Sequence, residues 1–284
     1  MMHRRAVIKT LSVLAGSYCI PLPAYAMLKK RFRIGACDWS IGRANQPAAM
    51  QTAREIGLDG VQVSLGSAAN NMHLREPAVQ ALYQQAAAAA GVSIAGLAIG
   101  ELNNIPYKSD PRTEQWVSDS IDVASTLGCK VVLLAFFGNG DLKNDAAGQQ
   151  EVIHRLRQVA PKAEKAGIYL GIESWLSAAE HMTILDAVGS SHVKVYYDVA
   201  NAHKMGYDIY QEIRWLGKNI CEFHAKEYGQ LLGKGPIDFR QVHQAMEDIG
   251  YRGWLQIEDA VPPGATMLES YQANQAFLRT VFPE

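Results

Sequence analysis

Residues 168–175 read IYLGIESW, apolar through a strand-length run that ends on a glutamate, Glu173. Three later stretches have the same shape: VKVYYDVAN at 193–201, ICEFHAKEY at 220–228 and GWLQIED at 253–259. Each presents one metal-competent side chain near its end, Asp198, His224 and Glu258 in turn. Side chains alternate across a strand, so residues two apart share a face. Tyr169, Gly171 and Glu173 therefore oppose Leu170 and Ile172, and Lys194, Tyr196 and Asp198 oppose Val193, Val195 and Tyr197. Glu222, His224 and Lys226 oppose Cys221, Phe223 and Ala225, while Trp254, Gln256 and Glu258 oppose Leu255 and Ile257. All four candidates fall on the more polar parity.

Runs of this kind recur along the chain, at 32–37, 60–65, 92–99, 130–137, 168–174, 193–199, 220–226 and 254–259. Between them the periodicity predicts helices over 47–56, 77–90, 112–127, 146–166, 178–188, 209–216, 239–249 and 268–280. Gly57, Gly91, Gly128, Gly167 and Gly250 stand where helices stop. Strand–helix alternation of this kind calls for a parallel sheet. Eight repeats make a closed (β/α)8 TIM barrel the simplest architecture, with a doubly wound open sheet as the alternative. No glycine-rich dinucleotide or phosphate loop follows a strand. With no composition break after residue 30, residues 27–284 read as one domain.

In such a barrel the C-terminal strand ends share one face, and the site is built there. Three carboxylates crowded together raise one another's pKa, and burying one without a partner costs several kcal/mol. A divalent cation held by Glu173, Asp198, His224 and Glu258 resolves the conflict. The alternative is a network of strand-end ion pairs with Lys226 or Arg252. An oxygen-rich set with one imidazole suits Mn²⁺ first, with Mg²⁺, Co²⁺ or Zn²⁺ also admitted.

The motifs GIESW, YYDVANAH, EFHAKEY followed by LGKGPIDF, and GWLQIED, in this order and at intervals of 25, 26 and 34 residues (198−173, 224−198, 258−224), resemble the xylose-isomerase-like TIM barrels. Within them they are most similar to the sugar-phosphate isomerase/epimerase branch, which includes the ketose 3-epimerases. The resemblance covers the chain after its first segment. It implies one metal on Glu173, Asp198, His224 and Glu258. It also implies that Glu173 and Glu258 are the catalytic pair, one taking the proton beside a sugar carbonyl and the other returning one through an enediolate. The ketose 3-epimerases carry a substrate-binding histidine three residues after the metal-binding aspartate. Here that position is Asn201, with His203 two further on. They also carry an arginine soon after the metal-binding histidine, where this chain reads AKEYGQ at 225–230.

The candidate substrate contacts are accordingly Trp39, Glu101, Asn201, His203 and Lys226. Asp38 follows the first strand, and Asn103, Asn104, Tyr107 and Lys108 lie in the long loop 100–111 after the third; such loops often bind ligands. Trp39 and Trp175 suit either stacking on a sugar or filling a core. Of the other histidines, His73, His154, His181, His192 and His243 fall in helical or loop contexts and read as solvated or structural.

A formal net charge of −1 gives no global field to recruit nucleic acid. The chain opens MMHRRAVIKTLSVLAGSYCIPLPAYA, with a basic start, an apolar middle and Ala24-Tyr25-Ala26, and no acid. This is the anatomy of a twin-arginine-type export signal over residues 1–26, so the mature protein is expected to be periplasmic or secreted, with no membrane anchor after cleavage. A phosphorylated sugar is cytoplasmic, so export favours a free sugar, glycoside or keto-sugar. Cys19, Cys37, Cys129 and Cys221 form no C-x-x-C pair and read as buried free thiols, or as a disulfide between two of them. Helix-face homo-oligomers are compatible with a barrel of this kind.

The leading reading is a metal-dependent sugar isomerase or epimerase. The same metal and glutamates also serve a lyase or dehydratase acting on a keto-sugar or keto-glycoside. A repair endonuclease would need more strand-end histidines and a basic face. A silent sugar-binding protein would not need both glutamates.

Overall fold

Each β-rich run becomes a strand paired in parallel with its sequence neighbours. In the computed structural model, which describes residues 31–283, these are β1 (Phe32–Cys37), β2 (Gly60–Ser64), β3 (Ser93–Ile99), β4 (Val131–Phe136), β5 (Tyr169–Ser174), β6 (Val193–Asp198), β7 (Ile220–Lys226) and β8 (Gly253–Glu258). They form a closed barrel in chain order, sealed where β1 meets β8 with Phe32 opposite Gly253 and Ala36 opposite Ile257. The open-sheet alternative is thereby excluded. Residues 1–26, read above as an export signal, and with them Cys19, lie outside the described residues.

The helices cover the outside: α1 (Ala49–Ile56), α2 (Pro77–Ala90), α3 (Arg112–Leu127), α4 (Ala146–Ala166), α5 (Ala178–Val188), α6 (Val199–Lys204), α7 (Ile209–Leu216), α8 (Phe239–Asp248) and α9 (Met267–Val281). Local chemistry sets their ends. Ser177 and Glu180 make a reciprocal cap at the start of α5, and Asp208 and Asp238 accept backbone N–H groups at the starts of α7 and α8. Gly91 ends α2 in the left-handed region, at φ +68°, a backbone that side chains with a Cβ rarely adopt. Helix α6 is an element the periodicity does not announce. It is one short turn started by Asp198, whose Oδ1 accepts from the N–H groups of Ala200 and Asn201. No helix among the described residues is long and apolar enough to cross a membrane.

The main core lies between strands and helices, where Ile34, Val63, Leu134, Ile172 and Val195 are fully buried against the helical ring. A second, smaller cluster of Ala98, Val131, Leu133, Ala135 and Tyr196 fills part of the barrel interior. One parity expectation is corrected here. Cys221 packs on that inner cluster, although alternation from Phe223 and Ala225 sends it outward. Between Val195 and Tyr196 the β6–β7 register slips, so that Tyr196 opposes Glu222 after Val195 opposes Ile220. The extra residue breaks the two-residue period at that point. Cys37, Cys129 and Cys221 are all unpaired thiols.

Candidate active site

The barrel carries Glu173, Asp198, His224 and Glu258 to one point, their ligand atoms all within 4.8 Å of one another and all four side chains buried. His224 Nδ1 lies 2.8 Å from Glu173 Oε1, 3.5 Å from Glu258 Oε2 and 3.8 Å from Asp198 Oδ2. The imidazole therefore faces the whole carboxylate set through one nitrogen. Its other nitrogen, Nε2, lies 2.9 Å from Gln62 Oε1. Asp198 turns Oδ1 to the start of α6, while its Oδ2 is buried without a hydrogen-bond partner among the described residues. An anionic oxygen in that position is costly alone and well suited to a cation. The donor set of three carboxylates and one imidazole fits a hard or borderline divalent metal.

Electrostatics at the cluster are those of a charged site kept out of water. Burial raises the Asp198 carboxyl, with Glu258 and Glu173 adding to the shift and Lys226 opposing it. Burial also works against charge on Glu258, but the facing His224 and Lys226 outweigh it and hold that carboxyl well below the ordinary range. On His224 burial disfavours the proton, and Cys37, Glu173 and Glu258 together more than reverse this.

Lys226 is the strand-end ion pair the sequence admitted. Its Nζ donates to Glu258 Oε2 at 2.8 Å and lies 3.3 Å from Asp259 and 3.9 Å from Asp198. Arg252 takes no such part; its guanidinium donates to the carbonyl of Tyr251, at the start of β8. Trp39 Nε1 donates to the other oxygen of Glu258 at 2.9 Å. Glu258 is thus clamped on both sides.

A cavity of about 470 Å³ opens above this cluster, within the size range of small-molecule sites. Its lining combines Glu173, Asn201, Lys226, Glu258 and Trp39 with the apolar side chains of Leu133, Ala135, Phe137 and Trp175. Glu101, Asn103 and Asn104 also reach it, as do Ser64, Ser67 and Asn45, which the sequence did not single out. Four of the five expected substrate contacts, Trp39, Glu101, Asn201 and Lys226, therefore meet at one cavity. His203 is not in its lining; its Nδ1 lies 2.8 Å from the Tyr228 hydroxyl. Tyr107 and Lys108 turn away: Tyr107 is buried beneath the loop, and Lys108 Nζ binds Asp145 and the carbonyl of Asp141. Asp38 is fully buried and structural, accepting from Ser64 and Asn45. Burial pushes its carboxyl up to about 6, against the pull of the Ser64 and Asn45 hydrogen bonds.

Beneath His224 lies a layer that strand-end reasoning passed over: Cys37, Gln62, Tyr196, Glu222 and Gln256. The signal for it was present. Gln62, Glu222 and Gln256 are polar residues in the middle of apolar strands, as informative as those at the ends.

The fold and this cluster define an eight-stranded barrel with a metal-competent carboxylate–histidine centre at its mouth. The sequence matches the family described as xylose isomerase-like TIM barrel over residues 50–281, and the chain belongs to that family. It is 28% identical over 207 residues to a 2-epi-5-epi-valiolone 7-phosphate 2-epimerase of Actinoplanes sp., covering 72% of this chain and 74% of that protein. It is also 28% identical over 136 residues to a D-psicose 3-epimerase of Enterocloster bolteae, covering 44% and 45%. Among solved structures, a D-psicose 3-epimerase in the presence of D-fructose has a similar fold, with TM-score 0.75 at 18% identity over 89% of this chain and all (100%) of that one. A 3-keto-D-glucoside 4-epimerase from E. coli is similar in fold, with TM-score 0.71 at 14% identity over 88% and 99%.

Proposed function

We propose that this protein is a divalent-metal-dependent epimerase or isomerase of a non-phosphorylated sugar or keto-sugar. The observation that carries the reading is the pair Glu173 and Glu258. Both line one cavity, and both belong to a four-residue cluster with an unpartnered Asp198 oxygen. The epimerase names borne by the two relatives point to the same reaction class, and the first of them names a phosphorylated substrate. Against a phosphate group stands the charge of the lining. Lys226 is the cation among the cavity residues, and it is already bound to Glu258.

Glu173, Asp198, His224 and Glu258 would hold the metal, for which Mn²⁺ is the first choice. Held there, it would supply Lewis-acid polarisation of a substrate carbonyl and a counter-charge for the negative charge that builds up beside it. Glu173 and Glu258 stand on β5 and β8 and serve as the two proton carriers, one removing the proton beside the carbonyl and the other returning one. Trp39 and Lys226 fix both oxygens of Glu258, so its carboxylate meets the substrate in one orientation. Phe137 and Trp175 supply an apolar wall for a ring or chain face and keep water from the proton-transfer side.

The test is to incubate the purified protein with Mn²⁺ and candidate ketoses and keto-glycosides in D₂O. Deuterium entering one carbon next to a carbonyl, without loss of a leaving group, is the expected result. Release of a leaving group instead would move the assignment to a lyase. No metal uptake by the unmodified chain would remove the mechanism.

The export segment belongs to the same proposal: a protein beginning near residue 27, folded and loaded before crossing the inner membrane by the twin-arginine route. Recovery of uncut protein from the cytoplasm alone would overturn it.

A further inference from the structure

We propose that Gln62, Tyr196 and Glu222 form a one-way hydrogen-bond relay that sets which ring nitrogen of His224 is free to bind metal. The proposal rests on the reading of His224 as a ligand and concerns residues that reading leaves idle.

The relay starts in the middle of the barrel. Glu222 Oε1 accepts from the Tyr196 hydroxyl at 3.1 Å and from Gln256 Nε2 at 2.8 Å. With two donors already on Oε1, a proton on the neutral acid falls to Oε2, and Oε1 stays an acceptor. Tyr196 has one proton, and Glu222 takes it. The Tyr196 oxygen is then an acceptor only, and it accepts from Gln62 Nε2 at 3.1 Å. That bond orients the Gln62 amide, turning its Oε1 to His224 Nε2 at 2.9 Å; the Cys37 thiol donates to the same Gln62 Oε1 at 3.2 Å, and its sulfur lies 3.3 Å from Nε2. A carbonyl oxygen facing Nε2 keeps a proton on that nitrogen and leaves the Nδ1 lone pair to face Glu173, Asp198 and Glu258.

Gln62, Tyr196, Glu222, Gln256 and His224 are each no more than 1% exposed, so water does not reorient the members. The backbone also makes room for them. A Cβ on Gly35 would lie 2.2 Å from Gln256 Oε1, and one on Gly96 would lie 3.4 Å from Glu222 Oε1. A merely satisfied polar core needs partners for its atoms and no common direction. Here the donors along the chain, Gln62 Nε2 and then the Tyr196 hydroxyl, both point toward Glu222 and away from His224.

Tyr196→Phe removes the central link and keeps the ring. The expected result is a Kd for Mn²⁺ weaker by about tenfold, with one metal per chain retained. Val131→Ala, outside the cavity lining, is the control. It lies in the apolar part of the same interior, so it lowers Tm while leaving the Mn²⁺ Kd unchanged. A second measurement needs no variant. In the unmodified protein loaded with Zn²⁺, ¹⁵N NMR of the imidazole should show Nδ1 bound to metal and Nε2 carrying a slowly exchanging proton. Mn²⁺ affinity of Tyr196→Phe within twofold of the unmodified protein overturns the relay, as does ligation of Zn²⁺ through Nε2. Failure of the unmodified chain to take up any metal is a different result, which removes the functional reading itself.

Discussion

Inside the barrel, the β3–β4 side and the β7–β8 side are made of opposite materials. Ala98, Val131, Leu133 and Ala135 fill the first; Glu222, His224 and Gln256, with Gln62 reaching in from β2, fill the second. Both lie out of water, yet they are held by different physics. The apolar side is stabilised by burial itself, at roughly 25 cal/mol per Å². The polar side gains little net energy from its hydrogen bonds, and each bond left unmade costs about 1–3 kcal/mol. A barrel needing only stability would extend the first material all the way round. The polar side is therefore where a functional demand shows, and it sits directly under the four-residue cluster.

The sharpest way to break this comparison is to remove charge at the mouth of the polar side. Glu173→Gln and Glu258→Gln each keep the shape of the side chain. Turnover should fall by roughly 10²–10⁴-fold in each, measured as substrate conversion and as deuterium exchange with metal present in saturating amounts. Activity within a few-fold of the unmodified protein in both variants would mean that the polar side does not carry the proton transfer. Metal removal acts on the same side from outside. Dialysis against a chelator should abolish turnover, and Mn²⁺ at a hundredfold excess over its Kd should restore about 2.7 kcal/mol of stability. A chain of this length then gains roughly 5–10 °C in Tm, readable by thermal scanning.

A smaller effect, with a defined sign, comes from pH. Burial, aided by Glu258 and Glu173, raises the metal-free Asp198 carboxyl from 3.8 to about 7, and burial raises Glu222 from 4.5 to about 7. Between those limits the folded chain binds more protons than the unfolded chain, so stability falls as pH rises. His224, also raised, contributes in the same direction. Glu258, held low by His224 and Lys226 against the effect of burial, has the opposite sign below 4.5, and His181, lowered by burial from 6.5 to about 4, has it between those values, against the two raised carboxyls and His224. The Tm of the metal-free protein should therefore be higher at pH 5 than at pH 7.5, and the difference should narrow when Mn²⁺ replaces the protons at Asp198 and His224. A gap that metal leaves untouched would place the titrating groups elsewhere.

How much of this was readable beforehand follows the same division. Glu173, Asp198, His224 and Glu258 were legible because a charged residue at the buried end of an apolar strand needs a partner, either a cation or an ion pair such as the one Lys226 makes with Glu258. Parity brought them to one face, and the barrel brought them within 4.8 Å. The strands themselves were legible from β-branched runs between glycine stops. The Cys221 orientation was not, because a register slip at β6–β7 leaves no mark in composition. Nor was α6, a single turn that depends on Asp198 capping its start. Loop 100–111 was only half legible. Glu101, Asn103 and Asn104 reach the cavity, but nothing in their order distinguishes them from Tyr107 and Lys108, which the loop turns away.

That loop gives the smallest effect and the finest test of the comparison, since it covers the mouth above the apolar side. Lys108 donates to Asp145 at 2.9 Å and to the Asp141 carbonyl at 2.6 Å, joining the loop to the start of α4. Partly exposed ion pairs of this kind contribute about 0–1 kcal/mol. Lys108→Met should cost no more than that in thermal denaturation, and it should leave KM for the identified sugar unchanged, because the ammonium is committed behind the cavity wall. A severalfold rise in KM with Tm unchanged would mean that Lys108 swings inward when substrate binds. The apolar side would then carry a charge of its own at the mouth, and its contrast with the polar side would hold only for the barrel interior.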